Sequence, residues 1–140
     1  MPNKFLHQYE IYHKKATADL VLVQQVFALN NSLIDKSIIL FHLQQAAEKY
    51  LKSLLSFNKI HFGKLHDIKK ILDLYMESGL ETPPNAEAFI ELTPYAVEGR
   101  YDFIVNDDVD IHRFLTLLEQ LKIFIESLIF STDTADTDSN

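Results

Sequence analysis

The sequence predicts an all-α protein, an antiparallel up-and-down bundle of four to five helices. Apolar residues recur at steps of three and four over long stretches, which is the spacing of a buried helical face. Alternation with a period of two never lasts for more than a few residues, and the 140 residues include only three glycines. The length suits one domain with its own core. We place that domain at residues 1–130 and expect an acidic, disordered tail at 131–140.

The first helix is predicted from about Phe5 to Leu29. Its apolar stripe consists of Tyr9, Tyr12, Ala16, Leu20, Val23 and Phe27. Asn30-Asn31-Ser32 should end this helix and provide the cap of the next one, because short polar side chains accept hydrogen bonds from free backbone N–H groups.

The second helix is predicted from about Leu33 to Phe57, antiparallel to the first because the connecting turn is short. Its inner stripe is Leu40, Leu43, Ala47, Leu51 and Leu54, and a different face carries Gln45, Lys49, Lys52 and Ser56. Glu48 precedes Lys52 by four residues, the favourable order for a helical ion pair.

The remaining chain should form three further helical pieces. The third helix covers Ile68–Met76, with Asp67 at its positive end and Gly79 after it. A short piece covers Asn85–Leu92, and Thr93-Pro94 should cap a continuation that ends near Arg100. The last helix runs from about Val109 to Phe130 with an apolar face of Ile111, Phe114, Leu117, Leu118, Leu121, Phe124, Ile125, Leu128 and Ile129.

Composition narrows the functional classes. There is no cysteine, no apolar run near 18 residues and no apolar secretory leader, so we expect a cytoplasmic protein that does not span a membrane. The net charge is −7, and three of the acidic residues lie in Ser131–Asn140. A strongly acidic chain is not expected to bind DNA. The last helix is more apolar than one side of a small bundle requires, which suggests a homodimer.

Motifs for metals and cofactors are missing from the sequence. The six histidines lack the spacing of a helical zinc site, and no two glycines lie close enough to form a phosphate-binding loop. We therefore expect no metal and no cofactor.

Both arginines of the chain, Arg100 and Arg113, flank one predicted turn, with Tyr101 and His112 nearby. Arginine suits bidentate phosphate contacts. The alternative is structural: Arg100 ties a helix end to neighbouring aspartates such as Asp102, and His112 is a capping or surface residue.

Three elements of the sequence together resemble the HEPN domain (higher eukaryote and prokaryote nucleotide-binding). They are Phe41-x-x-Gln-Gln-Ala-Ala-Glu-Lys-x-Leu-Lys52, His66-Asp67-Ile68 and Tyr95-x-x-x-x-Arg100-Tyr101. The resemblance spans about residues 8–130 and implies an up-and-down bundle, commonly a homodimer. Small prokaryotic members resemble partners of minimal nucleotidyltransferases in toxin–antitoxin-like pairs, and the family name records nucleotide binding.

Many relatives are metal-independent ribonucleases with an Arg-x(4–6)-His motif. Here eleven residues separate Arg100 from His112, and Asp102 replaces the proline of the family's Arg-Tyr-Pro form. The resemblance therefore implies, first, a non-catalytic partner that binds a nucleotide or RNA. The alternatives are a metal-independent endoribonuclease toxin with Arg100 and His112 as catalytic residues, and a purely structural dimerising bundle.

The resemblance suggests ligand-binding residues and structural polar residues separately. The ligand-binding set is Arg100, Tyr101, Arg113, Lys49 and Lys52. The structural set is Gln44, His66 and Asp67. Gln44 lies on the apolar stripe of the second helix and needs hydrogen-bond partners if buried. The turn around Arg100 and the helix start at His66-Asp67 are both candidates to supply them.

Overall fold

A computed structural model describes residues 7–96 and 109–130. Within these residues the chain forms four α-helices and one 3₁₀ helix, and no strand. The helices are α1 (Gln8–Leu29), α2 (Lys36–Phe57), α3 (Ile68–Glu77), the 3₁₀ helix (Ala86–Tyr95) and α4 (Ile111–Ile129). The predicted all-α bundle is confirmed. Arg100, Tyr101, Asp102 and the predicted tail at 131–140 lie outside the described residues.

Helix α2 is the central element, because it packs against α1, α3, α4 and the 3₁₀ helix. All five residues of its predicted inner stripe are buried, and so are neighbours on other faces, such as Ala46, Tyr50 and Leu55. The Tyr50 hydroxyl lies 2.8 Å from Thr17 Oγ1 on α1. Burial raises the pKa of Tyr50 to about 12, although the hydrogen bond to Thr17 opposes that shift.

Helices α1 and α4 run antiparallel. His13 near the start of α1 lies 2.7 Å from the Glu126 carboxylate near the end of α4. At the opposite end of the bundle, the rings of Phe27 and His112 are 6.4 Å apart. The bundle therefore has two poles. One holds the α1–α2 turn and the start of α4, and the other holds the α2–α3 connection and the end of α4.

The second helix begins three residues later than predicted, at Lys36. Its cap is Asp35, whose side chain accepts a hydrogen bond from Ser37 N–H at 2.9 Å, so the proposal of Ser32 as the cap is wrong. Asn31 instead forms a local turn by accepting from Leu33 N–H. Asn30 has a left-handed backbone, which agrees with its predicted role in ending α1.

The predicted break at Thr93-Pro94 is also wrong. One 3₁₀ helix continues through Pro94, and the Thr93 hydroxyl is buried without a hydrogen-bond partner, so it caps nothing. The ends of α3 were predicted well. Asp67 accepts from Lys69 and Lys70 N–H, and Gly79 follows with φ +71°.

The predicted apolar stripes on α1 and α4 extend too far at their ends. Phe27 and Leu128 are each 38% exposed, because neighbouring elements cover only part of the outer turns. On α4 the structure buries Leu115, which the stripe omitted, and leaves Ile123 66% exposed. Much of the other exposed apolar surface belongs to α1, the α1–α2 turn and the first turn of α2, namely Ile11, Val21, Leu22, Leu29, Leu33 and Ile38.

Candidate functional site at the α1–α2 turn

The start of α4 presents two predicted site residues to solvent. Asp110 caps the helix by accepting from Arg113 N–H at 3.0 Å, which fixes the position of the first turn. The Arg113 guanidinium stacks over the Phe114 ring and lies 3.6 Å from Glu91 on the 3₁₀ helix. Its side chain remains half exposed, so this ion pair is weak and leaves Arg113 able to contact a ligand.

His112 is exposed and contacts Phe27 across the gap between α4 and α1. Its backbone carbonyl accepts from the Thr116 hydroxyl, but within the described part of the chain the imidazole makes no hydrogen bond. Of the two structural roles expected for His112, capping or surface, the structure shows the surface role, because Asp110 caps the helix. An exposed imidazole can donate a hydrogen bond to a bound group or accept one from it.

A cavity of about 460 Å³ lies beside His112 at this pole. It combines apolar walls with amide, hydroxyl and ammonium groups, and its lining is Val26, Phe27, Asn30, Asn31, Ser32, Ile34, Lys36, Ile39 and Ile111. Ligand pockets of several hundred cubic ångströms with a few polar groups are typical for small organic ligands. No local sequence pattern indicated this cavity, because Asn30, Asn31 and Ser32 have the composition of an ordinary turn.

The two lysines predicted to bind a ligand are held in ion pairs by other residues. Lys49 lies 2.7 Å from the Asp19 carboxylate, whose other oxygen is 2.9 Å from His42 Nδ1. Lys52 is 3% exposed and lies 2.8 Å from Glu48, so it presents little surface to a ligand. Neither lysine belongs to the cavity at the α1–α2 turn.

Gln44 is completely buried and has the hydrogen-bond partners that its position demands. Its amide donates to Glu48 Oε1 at 3.0 Å, and its carbonyl accepts from Gln45 at 2.7 Å. Glu48 Oε2 lies 2.9 Å from His66 Nδ1. Gln44 thus reaches the start of α3 indirectly, through Glu48, and the Gln44, Gln45 and Glu48 of the signature belong to one polar network with Lys52 and His66.

Residues 7–96 and 109–130 contain no group of three or more His, Cys, Asp or Glu side chains that could hold a metal ion. No helix in the same ranges has the length and apolar character needed to cross a membrane.

The protein is therefore an all-α bundle whose central helix, α2, carries a largely buried network of polar side chains around Glu48. A family model described as the HEPN domain matches residues 9–128. Because this match covers most of the chain, the protein belongs to the HEPN domain family. Comparisons with curated proteins and with solved structures gave no match.

Proposed function

We propose that this protein binds a nucleotide in the cavity at the α1–α2 turn and acts as the HEPN partner of a minimal nucleotidyltransferase in a toxin–antitoxin-like pair. The observation that carries the proposal is the cavity of about 460 Å³, which gathers an aromatic ring, two amides and a lysine beside His112. This volume suits a mononucleotide.

Each part of a nucleotide has a counterpart in the cavity. The Phe27 ring can stack on a base, and the amides of Asn30 and Asn31 can pair with its polar edge. The Lys36 ammonium and an N–H of the His112 imidazole can donate hydrogen bonds to phosphate oxygens. The net negative charge of the chain does not prevent phosphate binding here, because salt screens distant charges while a cation in direct contact with the phosphate is screened little.

Calorimetry with ATP, GTP and their diphosphates tests the proposed site. We expect binding by the wild-type protein, and affinity at least tenfold lower for Lys36→Gln and for Phe27→Ala. Lys14→Gln removes an equal charge from α1 and should bind as the wild type does. The absence of heat with every nucleotide, or wild-type affinity in both cavity variants, would overturn the nucleotide-binding proposal.

The partnership and the homodimer are proposed on the family resemblance and on the exposed apolar surface. Leu22 and Ile38 are about half exposed and line an apolar groove of about 180 Å³ between α1 and α2. A nucleotidyltransferase reading frame beside the gene and co-purification of the two proteins would support the pair. Light scattering coupled to size exclusion should give the mass of a dimer. A monomer that retains no nucleotidyltransferase through purification would contradict both.

A metal-independent endoribonuclease is the second candidate. The observation that favours it is the exposed pair His112 and Arg113, which can supply a proton-transferring imidazole and a phosphate-binding guanidinium at one helix start. Purified protein should then cut RNA in the presence of EDTA, and Arg100→Ala and His112→Ala should each abolish cutting. Equal cutting by both variants would point to a contaminant.

A further inference from the structure

We propose that the α2–α3 connection is a binding surface for the phosphodiester backbone of a single-stranded nucleic acid, remote from the cavity at the α1–α2 turn. The surface, here called the basic pole, consists of Lys59, His61, Lys64, His66, Lys69 and Lys70. This inference goes beyond the proposed function, and it does not require that a nucleotide occupy the cavity.

The first observation is the uneven distribution of charge along the chain. Residues 59–70 contain four lysines and one acidic residue, whereas residues 71–140 contain fifteen acidic residues and three cationic ones. The net charge of −7 therefore conceals a cationic segment. For phosphate binding the local field matters more than the total, because salt screens charges beyond about 8–10 Å.

The second observation is that these cations are free to contact a ligand. All four lysines are exposed, and within the described residues Lys59, Lys64 and Lys70 form no ion pair. Lys69 makes an exposed pair with Asp73 at 3.2 Å, which stabilises the helix little and can be exchanged for a phosphate contact. The single acid of the segment, Asp67, is engaged in capping α3.

The third observation is that the bundle holds this pole in place from beneath. The Phe62 ring packs edge-on against Tyr12 at 5.6 Å, and the Lys52 ammonium lies 5.5 Å from its centroid. His66 Nδ1 lies 2.9 Å from buried Glu48 and 3.1 Å from Lys52, while its side chain is 69% exposed. A carboxylate that fixes one ring nitrogen leaves the other nitrogen directed outward.

A nucleic-acid strand fits this surface better than a membrane does. The basic pole itself consists of lysines and histidines, and none of the large exposed apolar side chains in the described ranges lies in residues 59–70, so this segment has no apolar anchor to insert among acyl chains. Exposed lysines with the exposed His61 ring suit repeated phosphates and an occasional stacked base. The surface is separated from the cavity at the α1–α2 turn by the length of α2, about 33 Å for its 22 residues.

Fluorescence anisotropy with labelled 12-nucleotide RNA and DNA strands, titrated over a range of salt concentrations, tests the basic pole. The variant K59G/K64Q/K70Q removes three charges. Lys59 has φ +60°, so glycine there relieves strain and the variant should fold. We expect affinity at least tenfold lower and a slope of log K against log salt smaller by about 2, since each single-strand phosphate contact contributes about 0.7.

The control is K14Q/K122Q, which removes two lysines on α1 and α4, and it should keep wild-type affinity and slope. Binding of either strand supports the proposal, because the backbone phosphate is common to both. Three results would overturn it: no binding at low salt, equal losses in the two variants, or tighter binding to phosphatidylserine vesicles than to both strands. An excess of ATP should not displace the strand. If it does, the strand occupies the cavity at the α1–α2 turn and the basic pole is not its site.

Discussion

Glu48 and Lys52 lie one turn apart on α2 with their charged atoms 2.8 Å apart, and both residues are at least 96% buried. Gln44 and His66 also form hydrogen bonds with the Glu48 carboxylate. An ion pair of this kind differs from the surface pair that the spacing alone predicts, because each charge has given up its hydration and depends on the other.

Glu48→Gln should destabilise the protein by about 3 kcal/mol, because it leaves the Lys52 ammonium buried without its counter-charge. Urea unfolding followed by circular dichroism measures the change. The double variant Glu48→Gln/Lys52→Met removes the unpaired charge and should regain much of the lost free energy of unfolding. A loss below about 1 kcal/mol in the single variant would show that water reaches Lys52 in solution.

Tyr75→Phe should lower the free energy of unfolding by about 0.5–1.5 kcal/mol. The Tyr75 hydroxyl is buried and donates to the Leu51 carbonyl at 2.6 Å, so its removal deletes a buried hydrogen bond while that carbonyl keeps its place in the helical pattern of α2. Burial also raises the pKa of this phenol, which therefore stays protonated and keeps donating throughout the physiological range. Tyr12→Phe alters a half-exposed tyrosine and is the control. Equal stability of the Tyr75 variant and the wild type would argue against the bond.

Two backbone positions in the α2–α3 connection should respond in opposite directions to substitution. Gly63 has φ +56°, and an added Cβ would meet only His61 at 3.9 Å, so Gly63→Ala should cost about 1 kcal/mol from backbone conformation alone. Lys59→Gly relieves the same type of strain at φ +60° and should be neutral or stabilising by up to about 1 kcal/mol. Thermal unfolding of both variants compares them. A stabilising Gly63→Ala would contradict the left-handed backbone at that residue.

Protonation of Glu126 in acid should lower the free energy of unfolding. Burial alone would raise the pKa of this carboxyl, but hydrogen bonds from His13 and Lys122 hold it below its ordinary value of 4.5. Because the folded-state pKa is the lower one, this stabilisation is complete above the unfolded-state value and is lost as the pH falls through the folded-state value.

Glu126→Gln should therefore flatten the fall in stability below about pH 4.5, measured by urea unfolding at a series of pH values. Glu119→Gln changes an exposed residue of the same helix and is the matched control. In this control the free energy of unfolding should fall with decreasing pH as it does in the wild type. If the Glu126 variant also loses stability in acid as the wild type does, other carboxylates are responsible for that loss.

Periodicity predicted the helices well because burial of an apolar stripe is the main force that fixes a helix in a bundle. Leu40, Leu43, Ala47, Leu51 and Leu54 are buried as predicted. Helix ends were less predictable, since Ser32 and Asp35 are both good caps and only the path of the chain selects between them.

The sequence predicted only some of the residues of the candidate site. The sequence drew attention to His112 and Arg113, and the structure exposes both at the start of α4. It gave no sign of the cavity beside them, because Phe27, Asn30, Lys36 and Ile111 come from α1, the α1–α2 turn, α2 and α4. The distances that make a cavity are set by packing between helices, which no local pattern records.

The sequence by itself determined the helical class and the family signature, because both depend on residue types at fixed local spacing. Only the tertiary structure decided the environment of each polar residue. Lys52 has the spacing of a surface lysine and is buried beside Glu48, whereas Lys59 and Lys64 remain in solvent. The physical reason is that burial depends on what packs over a face, and α3 with its preceding connection covers this part of α2.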